Sequence, residues 1–137
     1  MDMKLVSIFL ILPLFAIAQY DLTVTVNNVT SNEGKISVAV YDTADGFLEF
    51  DKVFKAESAP SQKGSTEVVI KDLPEGTYAI AAFHDENDND ELDTNMFGIP
   101  KEPLGFSKGK MKTFGPPSFE ECAFKLTSDQ SISVPIK

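Results

Sequence analysis

The sequence predicts an all-β fold: an antiparallel β-sandwich of about seven strands, immunoglobulin-like or transthyretin-like, with one long ordered loop. Three observations predict it. Apolar residues recur at every second position in short runs, the pattern of half-buried strands. Gly, Pro, Asn and Asp gather between those runs, where the chain must turn. No stretch holds a sustained helical period.

The elements follow in order. Tyr20, Leu22, Val24 and Val26 alternate with Asp21, Thr23, Thr25 and Asn27. Asn27 to Gly34 is a polar turn, after which Ile36, Val38 and Val40 share a face. Asp42 to Gly46 is a second turn. The run Phe47 to Phe54 reads equally as a short helix or a strand, and Ser58 to Gly64, with Pro60, reads as loop. Thr66, Val68 and Ile70 form the next alternating set, closed by the tight turn Pro74-Glu75-Gly76. Pro presets φ there and Gly permits a positive φ.

Thr77 to His84 differs, because Tyr78, Ile80 and Ala82 face one way and Ala79, Ala81 and Phe83 the other. A strand apolar on both faces is covered on both. The expected cover is the segment from Asp85 to Phe119, about 35 residues without periodicity. Phe97, Phe106, Phe114 and Phe119 argue that it is packed and ordered, since disordered segments are poor in aromatics. Two alternating sets end the chain, Cys122-Phe124-Leu126 and Ile132-Val134-Ile136. Pro135 on the outward face marks the last strand as an edge.

The first residues, MDMKLVSIFLILPLFAIAQ, have the layout of a secretory signal peptide. Lys4 supplies the positive start, Leu5 to Phe15 the apolar run, and Ala16-Ile17-Ala18 the small-x-small cleavage pattern. Residues 1–18 are therefore expected to be removed, leaving a single domain over 19–137 in the periplasm or outside the cell. The apolar run is shorter than the roughly 20 residues of a membrane span, so no stable membrane insertion is expected after cleavage. The net charge is −9, and every strong base is a lysine. An acidic domain without arginine is unsuited to nucleic acid and to anionic surfaces in general, and it favours cations as partners. The lone Cys122 cannot form an internal disulfide, and its place in an alternating run reads as a small buried side chain.

One segment carries chemistry. Asp85-Glu86-Asn87-Asp88-Asn89-Asp90-Glu91-Leu92-Asp93 has the form D-x-N-x-N-x-x-x-D. Calcium loops use oxygens at positions 1, 3 and 5, a main-chain carbonyl at 7 and an oxygen at 9. Here these are Asp85, Asn87, Asn89, Glu91 through its carbonyl, and Asp93, which predicts Ca2+ as the bound ion. Leu92 is expected to turn back toward the core. Two positions depart from an EF-hand: Asp90 replaces the usual Gly, and Met96 replaces the bidentate Glu. Further ligands would come from Asn95, Glu102 or water. An acidic turn held by Asx hydrogen bonds alone fits the same residues. His84, just before the loop, is expected as a strand-end residue bonded to a carboxylate, because no nucleophile is paired with it.

The run GTYAIAAFHDENDNDELDTNMFGIPKEPLGFS, followed by GPPSFEECAF, resembles an uncharacterised family of exported bacterial proteins, domain-of-unknown-function family 2141 (DUF2141). The matching positions are Gly76, Tyr78, Ala79, His84, Asp85, Asn87, Asn89, Asp93, Asn95, Gly98, Pro100, Glu102, Gly105-Phe106-Ser107, Pro116-Pro117 and Phe119. The chain departs at Asp90, where Gly is common, and at Pro103-Leu104, where Gly-Tyr is common. The resemblance implies an exported, sandwich-like domain and brings no activity with it.

Three functions fit these residues. The first is a non-enzymatic exported module that binds a glycan, a cell-envelope component or a protein. The second is a structural domain that calcium only stabilises. The third is a metal-assisted hydrolase using His84 with Asp85, Glu86 or Asp93. Exposure of His84 in a concave pocket would favour the enzyme, and its burial beneath the loop would favour the other two.

Overall fold

The computed structural model describes residues 10–137. Lys4 and the first half of the predicted apolar run lie outside the described residues. Residues 10–18 are exposed and without regular secondary structure, and β1 begins directly after them at Gln19.

Among the described residues eight strands form two sheets. The first sheet orders β4 (Gly64–Pro74), β1 (Gln19–Val29) and β8 (Gln130–Pro135). The second orders β3 (Lys55–Pro60), β2 (Lys35–Tyr41), β5 (Gly76–Asp85) and β6 (Leu104–Phe106), with β7 (Phe124–Leu126) pairing the start of β5. This is the two-sheet, nearly all-β architecture that the alternation predicts, compatible with an immunoglobulin-like sandwich. One pair departs from the antiparallel expectation: β8 runs parallel to β1, with Val24 opposite Ile132 and Val26 opposite Val134.

The core lies between the sheets, where the predicted inward faces meet. Leu22, Val24 and Val26 of β1, Val68 and Ile70 of β4, and Val134 of β8 come from one sheet. Ile36 and Val38 of β2, and Tyr78, Ile80 and Ala82 of β5, come from the other. At one margin Leu104 and Lys137 exchange two backbone hydrogen bonds, joining β6 to the chain beyond β8. Gly105 lies in that seam, where an added methyl would overlap the carbonyl oxygen of Pro135.

Three local expectations are corrected. The run Phe47 to Phe54 is neither a full helix nor a strand but turns followed by a single 3-10 turn, Phe50–Lys52. The expected loop around Pro60 is instead the end of β3, an edge strand exposed along most of its length and therefore lacking alternation. Cys122 does not start a strand. It ends a one-turn helix, α1 (Phe119–Cys122), capped by the Ser118 hydroxyl accepting from the Glu121 N–H.

The double burial of β5 holds in part: on its outer face Ala79 is buried, Ala81 is half-buried, and Phe83 is half-buried and outside the apolar cluster there. That face is covered by Phe106, Leu104 and Phe119 from the long segment, joined by Cys122, Phe47 and Leu48. Only two of the four expected phenylalanines are anchors, because Phe97 and Phe114 point into solvent.

Candidate functional site

The acidic loop leaves the sandwich at the end of β5. Asp85 is the last residue of that strand, paired with Lys35 of β2 and fully buried. Its carboxylate accepts from the N–H of Asn89 at 3.2 Å and of Asp90 at 2.8 Å. A buried carboxylate is tolerable only when so bonded, and these bonds fold the loop back over the strand end. Asp88 and Asp90 take positive φ angles of 55° and 64° to make the turn. Asp is among the few non-glycine residues that adopt this region readily, so Asp90 provides the left-handed geometry for which Gly is usual.

The side chains then divide. Asp88 and Asp90 reach Lys35, whose pKa is raised by Asp90 first and then by Asp88. The odd-numbered positions converge elsewhere. The amide ends of Asn87 and Asn89 lie 2.6 Å and 2.8 Å from the two carboxylate oxygens of Asp93. Glu91 contributes its N–H to the Asn89 side-chain oxygen at 3.0 Å. The Asn89 amide, then the Asn87 amide, hold the Asp93 carboxyl below its ordinary pKa, with Lys101 acting in the same direction.

Beneath this group lies a residue that loop spacing alone gives no reason to place there. Glu102 is buried, and its two oxygens accept from the backbone N–H of Glu86 at 2.8 Å and of Asp93 at 2.9 Å. It ties the two ends of the loop together from behind. Asn95, the other suggested ligand, instead accepts from the N–H of Phe97 and of Ile99 and shapes the following turn. Leu92 is half-buried and belongs to neither apolar cluster, so it does not return to the core as expected. Among the described residues no group of three or more His, Cys, Asp or Glu side chains is arranged to hold a metal ion; the converging set is one carboxylate and two amides.

His84 is fully buried on the inner face of β5. Its Nε2 lies 2.7 Å from the carbonyl oxygen of Glu33, and its Nδ1 lies 3.8 Å from the nearest Glu86 carboxylate oxygen without a hydrogen-bond partner. The expected carboxylate partner is thus replaced by a main-chain carbonyl. Two surface depressions, of 530 and 260 Å³, are lined by residues such as Gln62 and Thr66, and Lys35 and Asp88; His84 lines neither. Cys122 is also buried, which pushes its thiol pKa up and keeps it from the thiolate form a nucleophile needs.

Fold and loop together define an acidic two-sheet β-sandwich with an Asx-rich loop closing one end of its central strand. Residues 24–134 match the family described as an uncharacterised protein conserved in bacteria (DUF2141), and the chain belongs to that family. No match was found among curated proteins or among solved structures.

Proposed function

We propose that this chain is an exported, non-enzymatic β-sandwich module that binds one calcium ion at the loop Asp85–Asp93 and meets a partner through the long segment beyond it. The observation that carries the calcium reading is the convergence of Asn87 and Asn89 on both oxygens of Asp93. An asparagine amide presents an oxygen or an NH2 group to the same point by a half-turn about its last bond. A hard cation between the three groups would select the oxygens.

Calcium takes six to eight oxygens. Asp93, Asn87 and Asn89 would supply side-chain oxygens, Glu91 its carbonyl, and Asp85 a carboxylate each of whose oxygens has a lone pair beyond its bond to a backbone N–H. Water would complete the shell, and Glu102 would hold the two ends of the loop in place. Few charged ligands imply weak binding, with Kd about 10⁻⁴ to 10⁻³ M, suited to an extracellular module. The signal-peptide layout and the exposed, unstructured stretch before Gln19 support export. The burial of His84 and Cys122 supports the non-enzymatic reading over the hydrolase.

The test is a calcium titration of chelator-stripped protein, followed by the side-chain amide NMR signals of Asn87 and Asn89. Both should shift with a Kd in that range. The shift should vanish in Asp93→Ala and persist in Asp88→Asn, whose side chain faces Lys35. Unchanged amide signals at millimolar calcium would refute the site. A purely structural role is the second reading, favoured by the way Asp85 and Glu102 already bind the loop to the sandwich.

A further inference from the structure

We propose that the segment from Met96 to Phe114 docks this domain on an anionic lipid bilayer, with Phe97 and Phe114 entering the interface. The segment sorts its apolar side chains into two sets. Leu104 and Phe106 pack on the outer face of β5. Met96 and Phe97, 91% and 80% exposed, and Phe114, fully exposed, are held outward.

They are held by structure. The turn carrying Met96, Phe97 and Ile99 is closed by a bridge between Thr94 and Pro100 and by the Asn95 side chain on two backbone N–H groups. The turn carrying Phe114 is closed by backbone bonds between Lys112 and Gly115. Large apolar side chains fixed in solvent on ordered turns indicate a surface that something covers.

Charge identifies what covers it. Between Met96 and Phe119 stand Lys101, Lys108, Lys110 and Lys112, and the one acid, Glu102, is buried and occupied by two backbone N–H groups. Lys101 acts on the Asp93 carboxylate, Lys112 reaches Glu121, and the Lys108 ammonium lies on the Ala123 carbonyl, which leaves Lys110 with no such partner among the described residues. The chain as a whole carries −9, whereas this stretch of the sequence carries four lysines against one acid, interleaved among exposed Met, Phe and Ile. The overall acidity that argues against anionic surfaces therefore does not describe this segment. Its pattern matches interfacial segments, which bury aromatic side chains at the headgroup boundary while lysines meet anionic lipids. The acidic remainder would be repelled from the same surface, turning the basic segment toward it. The tips are projecting turns, and a fluid bilayer accommodates a projecting side chain without a pre-shaped pocket.

The chain contains no tryptophan, so F97W, F114W and F50W in residues 19–137 each introduce a single reporter. That range holds every strand and both apolar clusters, and it omits the apolar leader. Phe50 is 84% exposed but lies outside the segment, which makes F50W the control. In chelator, so that calcium plays no part, vesicles of phosphatidylcholine with phosphatidylglycerol should shift the emission of F97W and F114W to the blue and leave F50W unchanged. Raised salt should weaken the shift, as should vesicles of phosphatidylcholine alone. The double variant F97A/F114A should melt like the parent and bind the anionic vesicles at least about tenfold more weakly. Unchanged emission from F97W and F114W, or an equal shift on both kinds of vesicle, would overturn the proposal. So would a shift that needs only higher protein concentration, which would assign the tips to a second copy of the chain.

Discussion

Asp93 is the residue on which the acidic loop turns. With its pKa lowered chiefly by the Asn89 and Asn87 amides, the folded state binds the Asp93 proton less readily than the unfolded chain. Its contribution is complete above the ordinary carboxylate value of 3.8 and is lost as pH falls below that, through the lowered folded value. Denaturant melts across pH 2–6 should therefore show less acid destabilisation in Asp93→Asn than in the parent. Gly34 is the second telling residue. At φ +65°, it sits where a methyl would overlap the carbonyl oxygen of Asp85 and come within 2.8 Å of that of Glu86. Gly34→Ala should cost about 2 kcal/mol or more by chemical denaturation, because left-handed strain and a backbone clash add. The grouping of Asp85, Asn87, Asn89 and Asp93 in one hydrogen-bonded loop was legible because these residues follow a spacing along the chain. Glu102 and Gly34 act through contacts distant in sequence, and spacing holds no trace of the Gly34 contact.

At the scale of elements, the strands buried on one face were the most legible, since burial imposes the alternation of Leu22-Val24-Val26 and Val68-Ile70 directly on the sequence. β3 was missed for the opposite reason: an exposed edge strand has no inner face to pattern. The parallel pairing of β8 with β1 was equally hidden, because period two is the same for either direction. Aromatic content predicted order in the long segment correctly but not direction, since Phe106 packs inward while Phe97 projects. This division makes a contrast measurable in one set of melts. Ile80→Ala, in the centre of β5 and fully buried, should cost about 2–5 kcal/mol. Ile99→Ala, on the exposed turn, should stay within about 0.5 kcal/mol of the parent.

For the whole molecule, the sandwich serves as a rigid frame and the segment from Asp85 to Phe119 carries its distinctive surface. On the proposed reading, export would tie these features together, because a weak calcium site fills only where calcium is abundant. Intact mass of the exported product should correspond to a chain starting at Gln19; a product that retains residues 1–18 would contradict cleavage after Ala18. The most direct test of the proposed calcium site is thermal melting of chelator-stripped residues 19–137 with and without millimolar calcium. At ten times Kd, an ion bound only by the folded state adds about 1.4 kcal/mol, a rise of roughly 3–8 °C in Tm for a domain of this size. The prediction is a rise of that order in the parent, reversed by chelator and missing in Asp93→Ala. An unchanged Tm in the parent, or the same rise in Asp93→Ala, would contradict it.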